Sequence, residues 1–211
     1  EAQRVGMPTV FGAELSLDLA HKVPGQKDPQ ATHLLVLARS VDGYRQLSRA
    51  ISQGYERGEK NRPVLHLEEL AAIDPDWYIL TGCRKGPLIP HLGDPDGGMN
   101  ALRGLTELFP GRVVVELTRF GHPTDDARVD HLTHLATRAS LPTVATNAVH
   151  YAYRSGYRGA HVRAAIRSHA SLDELAGWLP ADATAYVRTP HDMRERFGPG
   201  PVETAHRIGQ E

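Results

Sequence analysis

The chain has 211 residues, 40% of them hydrophobic, and balances 24 Lys and Arg against 25 Asp and Glu for a formal charge of −1. That length can bury one sizeable core, so a single domain over residues 1–211 is expected. The near-zero charge excludes a global basic field that would draw the chain onto nucleic acid or an acidic membrane. No apolar run approaches bilayer length, and the lone Cys83 excludes an internal disulfide and suits a reducing compartment.

Glu1 to Gly6 reads as the tail of a helix closing on Gly6, and with no initiator Met the chain is expected to be a fragment of a longer polypeptide. Met7 to Phe11 reads as a buried strand that turns polar at Gly12-Ala13-Glu14, which makes Glu14 the first candidate ligand. His21 to Thr32, rich in Gly, Pro, Lys and Asp, reads as a surface loop. His33 to Ala38 is a continuous apolar run, a strand covered on both faces that begins with a histidine. Ser40 or Asp42 caps a helix to about Tyr55, with Tyr44, Leu47, Ala50 and Ile51 on one face. Glu56 to Arg62 is a charged connector and Leu65 to Ala72 a short helix. Trp77 to Thr81 is a strand running into Gly82-Cys83-Arg84-Lys85-Gly86.

His91 to Gly98 reads as a loop, Met99 to Phe109 as a helix, and Arg112 to Leu117 as a strand whose exit loop carries Arg119 and His122. Asp125 to Ser140 is a helix with an acidic first turn, which suits the positive helix end. Leu141 to Ala145 is a short apolar strand that turns abruptly polar at Asn147 and His150. Gly156 to Ser168 is a basic helix with Val162, Ala165 and Ile166 facing inward. Ser171 to Glu174 forms a capping box opening another short helix, and Ala185 to Arg188 is extended. Thr189 and Pro190 open a helix, and Pro201 to Gln210 is the last one. Alternating strands and helices predict an α/β fold with a parallel sheet, open or closed.

α/β barrels place their chemistry where strands end, and Glu14, His33, Cys83 and His150 share that address. Carboxylate, imidazole and thiolate suit zinc, or manganese and iron where the sulfur share is small. Each residue also has a plain reading: Cys83 as a packed thiol, His33 as a satisfied core histidine, Glu14 as a capping carboxylate, His150 as a loop residue. No compact zinc signature, phosphate-binding P-loop or Gly-x-Ser-x-Gly elbow is present. Arg84 and Lys85, flanked by glycines, can hold a phosphate or form a solvated loop. Arg154, Arg158, Arg163 and Arg167 can line a DNA-facing helix, although acidic residues elsewhere cancel any broad patch.

An ordered set of segments carries a resemblance. Gly6-Met-Pro-Thr-Val-Phe-Gly-Ala-Glu14, His33-Leu-Leu-Val-Leu-Ala-Arg-Ser-Val-Asp-Gly-Tyr44, Leu80-Thr-Gly-Cys83, Phe109-Pro-Gly-Arg-Val-Val-Val-Glu-Leu117 and Val144-Ala-Thr-Asn-Ala-Val-His150 together resemble the PHP (polymerase and histidinol phosphatase) domain. More narrowly they are similar to the amino-terminal part of DNA polymerase III alpha subunits. Gly121-His-Pro-Thr-Asp-Asp126 and Ser171-Leu-Asp-Glu-Leu-Ala-Gly-Trp178 look most like the error-prone branch.

The resemblance implies a distorted (β/α)7 barrel of PHP type, here without its first strands, whose strand ends hold a cluster of metal ions. Glu14, His33, Cys83 and His150 match the family's ligand positions. There are two departures. The family's first-strand His-x-His pair, with the Asp and His shortly after it, falls before this chain begins, and Ala148 stands where the family usually has Asp. The resemblance further implies a cytoplasmic, membrane-free parent enzyme that transfers nucleotides in damage-tolerant DNA synthesis. Its partners would be DNA and dNTPs, with other replication or mutagenesis proteins, and magnesium would serve a separate polymerase domain. The present portion would be a structural platform, with zinc, manganese or iron at a partial site. A free-standing metal-dependent phosphoesterase, exonuclease-like or histidinol-phosphatase-like, is the alternative, and a metal-free scaffold is a third reading.

Overall fold

A computed structural model describes residues 1–17, 31–59, 62–176, 179–180 and 182–211. The loop expected over His21 to Thr32 falls almost wholly outside them. Five strands, β1 (Gly12–Leu17), β2 (Thr32–Ala38), β3 (Trp77–Leu80), β4 (Val113–Leu117) and β5 (Thr143–Ala145), form one sheet in the order β1-β2-β3-β4-β5. Seven α-helices are described: α1 (Val41–Arg57), α2 (Leu67–Ala72), α3 (Pro95–Leu108), α4 (Asp125–Arg138), α5 (Tyr157–Ser168), α6 (Pro190–Phe197) and α7 (Pro199–Gln210). This mixed α/β architecture is consistent with part of a PHP-type barrel.

The sheet is not wholly parallel as expected. β2 runs antiparallel to both β1 and β3, while β3, β4 and β5 are parallel. The reason lies in the excursion between β2 and β3. α1, capped by the Ser40 hydroxyl accepting from the Gly43 amide at 3.1 Å, leads the chain away. The following segment then returns along α1 to its start. The Val64 amide donates to the Gly54 carbonyl (2.9 Å), and Trp77 Nε1 donates to the Gly43 carbonyl (2.7 Å). Gly43 is needed there, because a Cβ at that position would lie 2.3 Å from the Asp76 carbonyl oxygen. The Arg39 amide donates to that same oxygen at 3.1 Å, so β3 begins where β2 ends and must run the other way.

Several local expectations also change. Met7 to Phe11 is not a buried strand: Met7 and Phe11 are exposed, Pro8 has no N–H to donate, and pairing starts at Gly12 opposite Leu37. Glu14 therefore sits within β1 rather than beyond its end. α3 starts at Pro95, four residues before Met99, because the Asp94 carboxylate caps it by accepting from the Gly97 amide. Val162 and Ile166 of α5 face solvent instead of the core. Tyr44 on α1 is also exposed and packs its ring against Phe11 at 5.2 Å. Ala185 to Arg188 forms one bridge, Tyr186 to Tyr151, rather than a strand. The Ser171–Glu174 capping box makes both its bonds, although the residues after it form turns rather than a helix.

One face of the sheet carries the larger core. Leu34, Val36, Trp77, Ile79, Val113 and Val115 pack against Leu47 of α1, Leu102 and Leu105 of α3, and Leu132 and Leu135 of α4. On the opposite face Leu80, Val114 and Val144 are covered by Ile208 and Ala205 of α7. α7 covers only part of that second face, and the part beyond it is where the polar side chains gather.

Candidate metal centre

Strand register decides which side chains meet. Glu14 pairs with Leu35, Leu35 with Leu80, and Leu80 with Val114, so these four share a face. His33, two residues before Leu35, and Glu116, two after Val114, fall on that same face. Because β2 is antiparallel, its first residues lie beside the end of β3, where the chain turns at Gly82 with φ +78°. The turn is held by the His33 amide donating to the Lys85 carbonyl (2.9 Å) and by the Gly86 amide donating to the Cys83 carbonyl (2.8 Å). A Cβ on Gly82 would lie 2.7 Å from the His33 carbonyl oxygen, so this close approach requires glycine.

The result is a three-residue cluster. His33 Nδ1 lies 3.0 Å from Glu14 Oε1, Cys83 Sγ lies 3.7 Å from Glu14 Oε2, and Cys83 Sγ lies 4.0 Å from His33 Nδ1. Tetrahedral coordination at ordinary zinc bond lengths spaces neighbouring donors by ~3.3–3.8 Å, so the three atoms need only small adjustments to share one ion. Oxygen, nitrogen and sulfur in that grouping fit a transition metal better than calcium or magnesium.

Without an ion the cluster is held by a proton. His33 is pushed up to about 9, first by its contact with the Cys83 sulfur and then by the Glu14 carboxylate, against the opposing effect of burial. The hydrogen bond from His33 in turn holds Glu14 below the usual carboxylate range. A cation must displace that proton to bind. The cluster opens into a cavity of about 510 Å³ whose walls include Arg84, Lys85, Glu116, Thr146, Ala148, His150, His161 and Arg167.

A family model for the PHP domain matches residues 1–120, more than half of the chain and the part that contains Glu14, His33 and Cys83. The chain belongs to the PHP domain family. The error-prone DNA polymerase of Cutibacterium acnes is 42% identical to this PHP chain over 203 residues, covering 93% of the chain and 18% of that polymerase. That of Mycobacterium tuberculosis is 42% identical over 216 residues, covering 99% and 20% respectively. The DNA polymerase III subunit alpha of Escherichia coli is 29% identical over 191 residues, covering 85% and 16%. The PHP chain thus spans about a fifth of the length of the error-prone polymerases it matches.

The fourth candidate ligand of this PHP chain, His150, stands apart from the trio. It lines the same cavity, but its Nδ1 lies 2.6 Å from the Ala148 carbonyl and its side chain is exposed. Ala148 has φ +41°, a left-handed conformation that is unusual for alanine. Asn147 turns away from the cavity mouth, and its Nδ2 donates to the carbonyls of Thr184 (3.1 Å) and Tyr186 (2.6 Å). Arg119 pairs with Asp126, and the His122 amide donates to the Asp125 carboxylate (3.1 Å), so both belong to the loop's own bonding. Of the basic residues proposed for a DNA-facing helix, only Arg167 lines the cavity, together with Ala160, His161 and Ala164 on the same side of α5.

Sequence reasoning missed Glu116 as a site residue. It lies in β4, is 4% exposed, and faces the cavity. Burial pushes its carboxyl up, the Thr146 hydroxyl donating to Oε1 partly offsets this, and the Glu14 charge adds to the rise. The available signal was a single carboxylate inside an otherwise apolar, wholly buried strand.

Proposed function

We propose that this chain is the PHP portion of an error-prone, DNA polymerase III alpha-type enzyme, and that its cavity holds a transition-metal ion. The parent enzyme would carry out DNA-templated nucleotidyl transfer with DNA, dNTPs and magnesium in a separate domain. The observation that carries the metal reading is the meeting of the Glu14 carboxylate, His33 Nδ1 and Cys83 Sγ, whose closest contacts are 3.0–4.0 Å, on the strand-end face of the sheet. The kinship with error-prone DNA polymerases supports the reading of the parent.

Glu14, His33 and Cys83 would hold the ion, with His150 at the rim able to join by rotating away from the Ala148 carbonyl. A bound zinc, manganese or iron would act as a Lewis acid there and would cross-link β1, β2 and the turn after β3. We favour a structural platform over hydrolysis, because Ala148 offers no donor and the ring of His150 is engaged elsewhere. Phosphoester hydrolysis is the second reading, supported by Arg84, Lys85 and Arg167 in the same cavity, where they can neutralise a phosphate.

The test is metal content by mass spectrometry on the full-length protein, purified without chelator, as wild type and Cys83→Ala. Near-stoichiometric metal in the wild type and its loss in the variant is the expected result. Equal content in both would refute the trio as the site. Hydrolysis of a chromogenic phosphodiester with manganese, abolished in Cys83→Ala, would move the reading to the phosphoesterase.

A further inference from the structure

The cavity contains one ionisable group that the trio does not use. Glu116 is 4% exposed, its Oε1 accepts from the Thr146 hydroxyl, the Gly82 amide lies near enough to favour the ionised carboxyl weakly, and Oε2 makes no well-formed hydrogen bond among the described residues. A buried carboxylate oxygen without a full partner is destabilising, and a cation held beside Glu116 would satisfy it. Glu116 lies on the cavity wall, on the sheet face shared with Glu14 and His33.

The intervening position explains the geometry. β2 and β4 are two strand spacings apart, roughly 9.5 Å, and the turn at Gly82, which follows β3, lies between them. His33 borders that turn on one side and Glu116 on the other. Ala148, on the same wall, contributes no donor atom, whereas Glu116 contributes a full carboxylate.

We infer that Glu116 is a further cation-holding carboxylate of this cavity, facing the Glu14, His33 and Cys83 cluster across Gly82 and supplying negative charge to the same divalent ion or to its bound water. This rests on the metal reading given above and extends it by a fourth protein group. The Thr146 hydroxyl orients the carboxylate, so that Oε2 is left for the cation.

The experiment is a zinc competition titration against a chromophoric chelator. It uses the full-length protein in millimolar magnesium, which keeps hard-cation sites elsewhere filled. Wild type, Glu116→Gln and Cys83→Ser are compared, with urea midpoints of the metal-free proteins as a folding control. Gln keeps the shape and can still accept from Thr146. The expected result is at least a tenfold loss of zinc affinity in Glu116→Gln, with an unchanged or raised urea midpoint.

Affinity within twofold of wild type in a folded Glu116→Gln, alongside a clear loss in Cys83→Ser, would overturn this inference and leave the trio standing. A wild type that binds no better than Cys83→Ser would overturn the metal reading and this inference with it. If Glu116→Gln does not fold, Glu116→Asp, which withdraws the charge by one methylene, takes its place. A several-fold loss of affinity is then expected, and wild-type affinity overturns the proposal.

Discussion

His33 and Glu14 face each other at 3.0 Å from adjacent antiparallel strands, with the histidine side chain 18% exposed and the carboxylate 46% exposed. Their ionisation is mutually supporting, and the Cys83 sulfur completes the contact.

The metal-free protein is therefore most strengthened by this pair at mildly acidic pH. His33 is raised from 6.5 to about 9, so its contribution is complete below 6.5 and fades as pH rises through 9. Glu14 is lowered from 4.5, so its contribution is present above 4.5 and fades as pH falls through its depressed value. The pair is half open to solvent and is worth on the order of 1 kcal/mol or less after screening. Urea midpoints measured with chelator at pH 5.5, 7.5 and 9.5 should show a loss at the highest pH that His33→Ala abolishes.

Metal affinity should follow the opposite course. An ion binds neutral imidazole, so below pH 9 each pH unit gained should raise zinc affinity by about tenfold from His33 alone. A chelator competition series from pH 6.5 to 8.5 tests this. A flat profile would mean that His33 is not a ligand.

Asp125 anchors the exit loop of β4. Its Oδ2 accepts from the amides of Phe120 (2.6 Å), Gly121 (2.8 Å) and His122 (3.1 Å), Oδ1 lies 2.7 Å from Arg128 Nη2, and Asp125 itself is 4% exposed. Asp125→Ala strands three amides and a buried guanidinium and should cost about 3–5 kcal/mol. Denaturant unfolding would measure it.

Gly43→Ala tests why β2 runs backwards. The added Cβ would meet the Asp76 carbonyl oxygen at 2.3 Å, where α1 meets the returning chain. A loss of about 1–3 kcal/mol or more is expected, whereas Gly104→Ala, on an open face of α3, should be neutral or stabilising.

Ala148→Asn should leave stability unchanged or improve it by up to about 1 kcal/mol, because Asn tolerates the left-handed backbone that costs Ala at φ +41°. Ala148→Asp shares that advantage and adds a carboxylate to the cavity wall, so zinc affinity should rise in the competition assay.

Much was legible in the chain itself. The apolar run of β2, the Ser40 and Thr189 caps and the donor types of Glu14, His33 and Cys83 are local properties, written in residue identity and period. Strand direction is not local. It depends on where an excursion of nearly forty residues returns, and that is settled by contacts such as Gly43 with Asp76 and Trp77. Nor can facing be read in a strand like β4, where all five residues are buried and no alternation marks the side on which Glu116 lies. Residue chemistry thus named four candidate donors, Glu14, His33, Cys83 and His150, while the antiparallel register of β2 and the turn at Gly82 brought the first three together, placed Glu116 on the same face and left His150 at the rim.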